Sequence, residues 1–218
     1  MPTIDLSSND IIPEDCVLEI PEITYDKFEL LKIYEQVKDH ARVKYLPWSK
    51  TPNNEFVKPD EAKAVTIQYN DHEIRNPSEH GKGVNLLDFE YIRDLFSNFN
   101  LKIHPASISM MIYKEGYVFK PHVDGWAASV LMFPIISTSA IDFYHEKGMQ
   151  FESYKEYPID YDKIIYSHYY NDIHPTIFNS HIIHGVKPTT DFQVKLKVNL
   201  NEDFYSIRER YKAGILLT

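Results

Sequence analysis

The sequence predicts an α+β fold in which helices come first and an all-β half follows. Two observations lead there. Apolar residues recur at helical spacing in two stretches before residue 100. Beyond Leu101 the chain breaks into short β-rich runs divided by Gly, Pro, Asn and Asp, with no helical stretch between them. Such spacing suggests a sandwich or jelly roll rather than alternating strand–helix units. At 218 residues the chain reads as one domain, 1–218, with a helical N-terminal part over 1–100 and a β core over 101–205.

The elements follow in order. Residues 1–24 hold Pro2, Pro13 and Pro21 and short apolar stretches suited to an edge strand. From Asp26 to about His40, Phe28, Leu31, Tyr34 (or Leu30) and Val37 mark an apolar helix face. Residues 47–62 read as a loop, Ala64–Tyr69 as a strand, and 70–84 as a polar loop. A second helix starts at Asn85 as its cap, with Asp88 in the first turn. Its apolar face comprises Leu87, Tyr91, Leu95, Ile92 and Phe96. Strands are expected at Ser107–Tyr113, Ala128–Ile135, Ala140–His145, Ile164–Tyr170, Thr176–Asn179 and Phe192–Leu200.

Composition excludes several classes. Apolar residues make up 43% of the chain, enough for a core. With 23 basic against 32 acidic residues the net charge is −9, and no basic run is present, which argues against sequence-specific nucleic-acid binding. Cys16 is the single cysteine, so no internal disulfide forms. No apolar run is long enough to span a membrane, and MPTIDLSSND lacks a basic start and an apolar centre, so no signal peptide and a cytoplasmic location are expected.

Chemistry concentrates in Tyr113-Lys-Glu-Gly-Tyr-Val-Phe-Lys-Pro-His122-Val-Asp124-Gly. Residues two apart in extended chain face the same side, so His122 and Asp124 can offer an imidazole and a carboxylate to one ion. His184, in Asn179-Ser-His-Ile-Ile-His184-Gly-Val, lies 60 positions beyond Asp124 and is the third donor. Two imidazoles and a carboxylate on one octahedral face suit Fe(II) and leave three positions for a keto acid and O₂. His-x-Asp alone is common by chance; the distant His-Gly-Val and the β-rich stretch between them make the case. His181 competes with His184, whose following Gly-Val favours it. His145, His168 and His174 read as structural or substrate-facing, and Asn179 either serves a turn or hydrogen-bonds metal-bound carboxylates.

On these residues the chain resembles the 2-oxoglutarate-dependent Fe(II) oxygenase superfamily, including prolyl hydroxylase-like and phage-encoded members. The resemblance covers residues 107–200 and includes the Tyr-x-x-Gly stretch before His122 and a basic residue after His184. It implies a double-stranded β-helix (jelly roll, cupin-like) with the N-terminal helices packed on its major sheet. It also implies Fe(II) and 2-oxoglutarate as cofactors, and hydroxylation of a C–H bond in an amino acid, peptide side chain or other small metabolite.

The family commonly binds the distal carboxylate of 2-oxoglutarate with an Arg, sometimes a Lys. Here no Arg lies between Arg93 and Arg208. Along Phe192–Leu200, Val194, Leu196 and Val198 share one face and Gln193, Lys195 and Lys197 the other. The family places helices outside this strand, which turns the lysines inward, where burial without an anion is costly. Lys195 best fits the spacing, with Lys197 the substitute and Gln193 beside them. A Lys is a point charge, so a hydroxyl should help to orient the carboxylate, and Tyr113 stands where the family's Tyr often does so. Trp126, Tyr117 and Phe119 are candidate substrate-lining residues. Two other readings compete: a non-catalytic jelly-roll binding module, and a metal-dependent cupin-like enzyme that does not use 2-oxoglutarate.

Overall fold

In the computed structural model the alternation of the C-terminal half becomes two antiparallel sheets facing one another, with helices on one outer side. The structure describes residues 11–40, 64–68, 85–103, 107–113, 115, 119–124, 127–136, 139–145, 161–171, 173–187 and 189–218. Ten strands lie among them: β1 Val17–Glu19, β2 Ala64–Gln68, β3 Ile108–Tyr113, β4 Phe119–His122, β5 Ser129–Ile136, β6 Ala140–Tyr144, β7 Ile164–Tyr169, β8 Thr176–Asn179, β9 Ile183–Val186 and β10 Gln193–Leu200. One sheet runs β1-β8-β5-β10-β3-β2 and the other β4-β9-β6-β7. From β3 to β10 the chain goes to the larger sheet, the smaller, the larger, twice to the smaller, then larger, smaller and larger again. The class is α+β and the architecture is compatible with a β-sandwich.

Four helices accompany the sheets: α1 Pro13–Cys16, α2 Lys27–Val37, α3 Glu90–Ser97 and α4 Phe204–Lys212. Their apolar faces gather with the outward residues of the large sheet into the main core. There Leu30, Ile33, Ile92, Leu95 and Phe204 meet Ile108, Met110, Leu131, Phe133, Leu196 and Val198. Phe133 is at the centre, with Tyr25, Phe96 and Phe99 against its ring at 5.4–6.2 Å. Between the sheets a second core joins Val130, Met132 and Phe178 of the large sheet to Ile141 and Phe143 of the small one. Every residue of β5 but the last is buried, because one face meets helices and the other the opposite sheet.

Three expectations change. In α2 the buried face is Leu30, Ile33, Tyr34 and Val37, whereas Phe28 is 65% exposed and Leu31 half-buried. Both stripes have helical spacing; the cap at Asp26, whose side chain accepts from the Phe28 and Glu29 N–H groups, accompanies a rotation that turns Phe28 outward. Asn85 caps a short 3₁₀ turn, Leu86–Asp88, and α3 begins only at Glu90. The strand-based reading also omits α4, capped by Asp203 at the Ser206 N–H and anchored by Phe204 and Ile207. Arg208 ties α4 to α1 through the Glu14 carbonyl and the Asp15 carboxylate. Among the described residues no helix is long and apolar enough to cross a membrane.

Candidate metal centre

β4 and β9 bring together residues far apart in sequence: His122, the last residue of β4, pairs directly with His184 in β9. Cross-strand partners project to the same side, so both imidazoles enter the space between the sheets, with ring centroids 4.5 Å apart. Asp124 continues β4 with its N–H donated to the Ser180 carbonyl at 3.1 Å. Its carboxylate is on the same side as His122, and Oδ1 lies 3.4 Å from His122 Nε2. One donor atom from each of the three lies within 4.8 Å of the others, and all three residues are buried.

The donor chemistry fits a metal ion. His122 Nδ1 is 2.8 Å from the Lys120 carbonyl and His184 Nδ1 is 2.9 Å from the Ile182 carbonyl. A carbonyl only accepts, so each Nδ1 carries a proton and each ring turns its Nε2 to the site, where it can ligate. Burial, with the nearby His122 ring, lowers His184 to about 3, against smaller opposing effects of Asp124 and the Ile182 carbonyl. His184 is therefore neutral and ready to ligate at neutral pH. Burial alone would raise the Asp124 carboxyl, but the Lys197 charge, with the adjoining His122 and His184 rings, carries it well below the ordinary range. Asp124 Oδ2 is buried with no hydrogen-bond partner among the described residues, which a cation would supply. Facial donors about 2.1 Å from an ion stand about 3 Å apart, so the group, whose donors lie within 4.8 Å of one another, would draw together to close around one.

The candidates around the lysines divide. β10 lies between β5 and β3, with Val194, Leu196 and Val198 toward the helices and Gln193, Lys195 and Lys197 toward the opposite sheet, the orientation expected from the alternation together with helices outside the strand. Lys195 is 2% exposed. Its Nζ lies 4.4 Å from the Tyr170 ring centre, 5.5 Å from that of Tyr113, and 3.5 Å from Ser139 Oγ. No carboxylate among the described residues pairs with it, and burial pulls it down to about 7. Gln193 Oε1 accepts the Ser139 hydroxyl at 2.7 Å, while its buried Nε2 has no partner among the described residues. Lys197 is elsewhere: it is half-buried and its charge acts on Asp124 and His184.

Asn179 belongs to a turn. Its Nδ2 donates to the Asp15 carbonyl and its Oδ1 accepts the His181 N–H. His181 is exposed and outside the donor group. His174 Nδ1 meets the Ile23 carbonyl. His168 is buried against Thr176 Oγ1 at 3.2 Å and Tyr170. His145 follows β6 with its N–H on the Lys163 carbonyl. Tyr117 and Trp126 lie outside the described residues, as does the side chain of Phe119. Sequence reasoning missed Tyr170 and Ser139. The 166, 168, 170 alternation, which runs one residue past β7, carries a signal for Tyr170, but nothing local marks Ser139.

Fold and site together define an α+β protein with a buried group of two histidines and one carboxylate able to hold a metal ion. No protein-family model matches the chain, and no curated protein matches it.

Proposed function

We propose that the protein is an Fe(II)- and 2-oxoglutarate-dependent dioxygenase built on a double-stranded β-helix. The observation that carries the reading is the pairing of the buried His122, Asp124 and His184 group with a second buried feature, the Lys195 ammonium, which has no carboxylate partner among the described residues. The alternation of β3–β10 between the sheets, with orders β3-β10-β5-β8 and β4-β9-β6-β7, supports the double-stranded β-helix.

In this reading His122, Asp124 and His184 hold the metal, and the Nδ1 hydrogen bonds to backbone carbonyls fix both rings. Lys195 neutralises the distal carboxylate of 2-oxoglutarate. Tyr170 and Tyr113 flank the ammonium, and Ser139, itself oriented by Gln193, keeps its direction. Lys195 is favoured over Lys197 because it is the fully enclosed one, while the Lys197 charge acts on the metal ligands. When bound, Fe(II) with 2-oxoglutarate and O₂ supplies the oxidant that hydroxylates a C–H bond, leaving succinate and CO₂. The enclosing apolar residues Met132, Phe143 and Phe178 keep water from that chemistry.

The test is anaerobic titration of the full chain with Fe(II) and then 2-oxoglutarate. Fe(II) raises the unfolding midpoint in the wild type and not in His184→Ala or Asp124→Ala. Adding 2-oxoglutarate then produces the weak visible charge-transfer band of a chelated keto acid. Metal binding without a band or further stabilisation refutes 2-oxoglutarate use and favours a metal-dependent enzyme of another kind.

A further inference from the structure

Lys197 has no role in the reading above, and its position is unusual. The alternation of β10 turns it toward the opposite sheet, about 7 Å along the strand from Lys195. Its cross-strand neighbours are Ser109 and Met132. It is half-buried where Lys195 is enclosed. Among the described residues no carboxylate lies within ion-pair distance of it. Its charge acts on Asp124 and His184, whereas that of Lys195 acts on His168. Next along the same face, Asn199 Oδ1 is buried with no partner among the described residues, so this end of the row has unused polar capacity.

Charge balance then gives the missing component. The charges of the described residues facing the site are Asp124, Lys195 and Lys197, with His122 and His184 neutral as ligands. A dication and the dianion of 2-oxoglutarate cancel one another, leaving two ammonium groups against one carboxylate. Among the described residues one positive charge then remains beside the metal in a partly desolvated space, where an unpaired charge is costly.

We propose that Lys197 receives the carboxylate of a small anionic substrate and so holds that substrate beside the metal centre. The inference rests on the dioxygenase reading and adds the substrate class: a carboxylate-bearing small molecule, not a neutral one and not a cationic side chain. Lys197 is thereby a specificity-determining residue, distinct from Lys195, which serves the cosubstrate.

The experiment uses the full chain loaded anaerobically with Fe(II) and 2-oxoglutarate. Acetate is the minimal carboxylate probe and acetamide its uncharged counterpart, both titrated at constant ionic strength. Binding is read from the unfolding midpoint and from the shift of the visible band. Acetate gives a saturable response and acetamide none. Lys197→Met weakens acetate binding about tenfold or more, the loss of one charge-assisted hydrogen bond, and leaves 2-oxoglutarate binding unchanged. Lys197→Arg keeps the preference, which separates lost charge from misfolding. The proposal is overturned by an absent acetate response, by equal responses to acetamide, by unchanged acetate affinity in Lys197→Met, or by loss of 2-oxoglutarate binding in that variant. A wild type that gives no band with 2-oxoglutarate marks failure of the dioxygenase reading, and the substrate assignment falls with it.

Discussion

Replacing Lys195 by Met should make the ligand-free protein more stable while removing its response to 2-oxoglutarate. Burial lowers the Lys195 ammonium from 10.5 to about 7. A displacement of that size corresponds to about 5 kcal/mol opposing the folded state whenever both states carry the proton. Below pH 7 the full penalty is present. Between pH 7 and 10.5 the unfolded chain keeps a proton that the folded one has released, so wild-type stability rises with pH. Above 10.5 the difference is gone.

Relaxation and the Tyr170 and Tyr113 rings reduce the penalty, so a gain of about 2–4 kcal/mol is expected for Lys195→Met below pH 7. That is a urea midpoint increase on the order of 1 M, shrinking toward zero by pH 10.5. With metal bound to both proteins, 2-oxoglutarate should reverse the order: at a thousand times its dissociation constant the ligand adds about 4.1 kcal/mol to the wild type and nothing to the variant. Urea unfolding at pH 6, 8 and 10, with and without ligands, measures all of this. A variant less stable than wild type at every pH, or one equally stabilised by 2-oxoglutarate, would refute the argument.

Other outcomes follow from the same structure. Burial and the Lys195 charge hold His168 at about 4, against 6.5 in the unfolded chain. Above pH 6.5 neither state is protonated there; as pH falls from 6.5 to 4 only the unfolded state gains the proton. Wild-type stability should thus fall by up to about 3 kcal/mol relative to His168→Gln over that window, and parallel pH profiles for the two proteins would contradict it. Phe133→Ala removes the ring at the centre of the helix-covered core and should cost about 3–5 kcal/mol in denaturant titrations. A loss under 1 kcal/mol would mean the aromatic cluster is not the core described here.

Much of this protein is legible in its residues because two signals are local. The alternation along Phe192–Leu200 is a property of extended chain and puts Val194, Leu196 and Val198 on one face and Lys195 and Lys197 on the other without reference to any neighbour, while the choice of which face meets the helices came from the family resemblance. His122 and Asp124 share a side for the same reason. The sequence does not distinguish two helical stripes that both have the right period, which is why Phe28 and Leu31 were expected inside and Ile33, with the alternative Leu30, is found there.

By itself, then, the chain determined the helix-then-strand order, the donor types and the basic strand, since these follow from side-chain periodicity and chemistry. Only tertiary structure decided that His122 and His184 are cross-strand partners, since that register depends on how strands separated by 60 residues pair. It also decided that Lys195 is enclosed by Tyr170, Tyr113 and Ser139 while Lys197 is half-exposed beside Asp124. Two lysines on one face of one strand are equivalent until neighbouring strands cover one and leave the other open, because burial and field are set by groups remote in the chain.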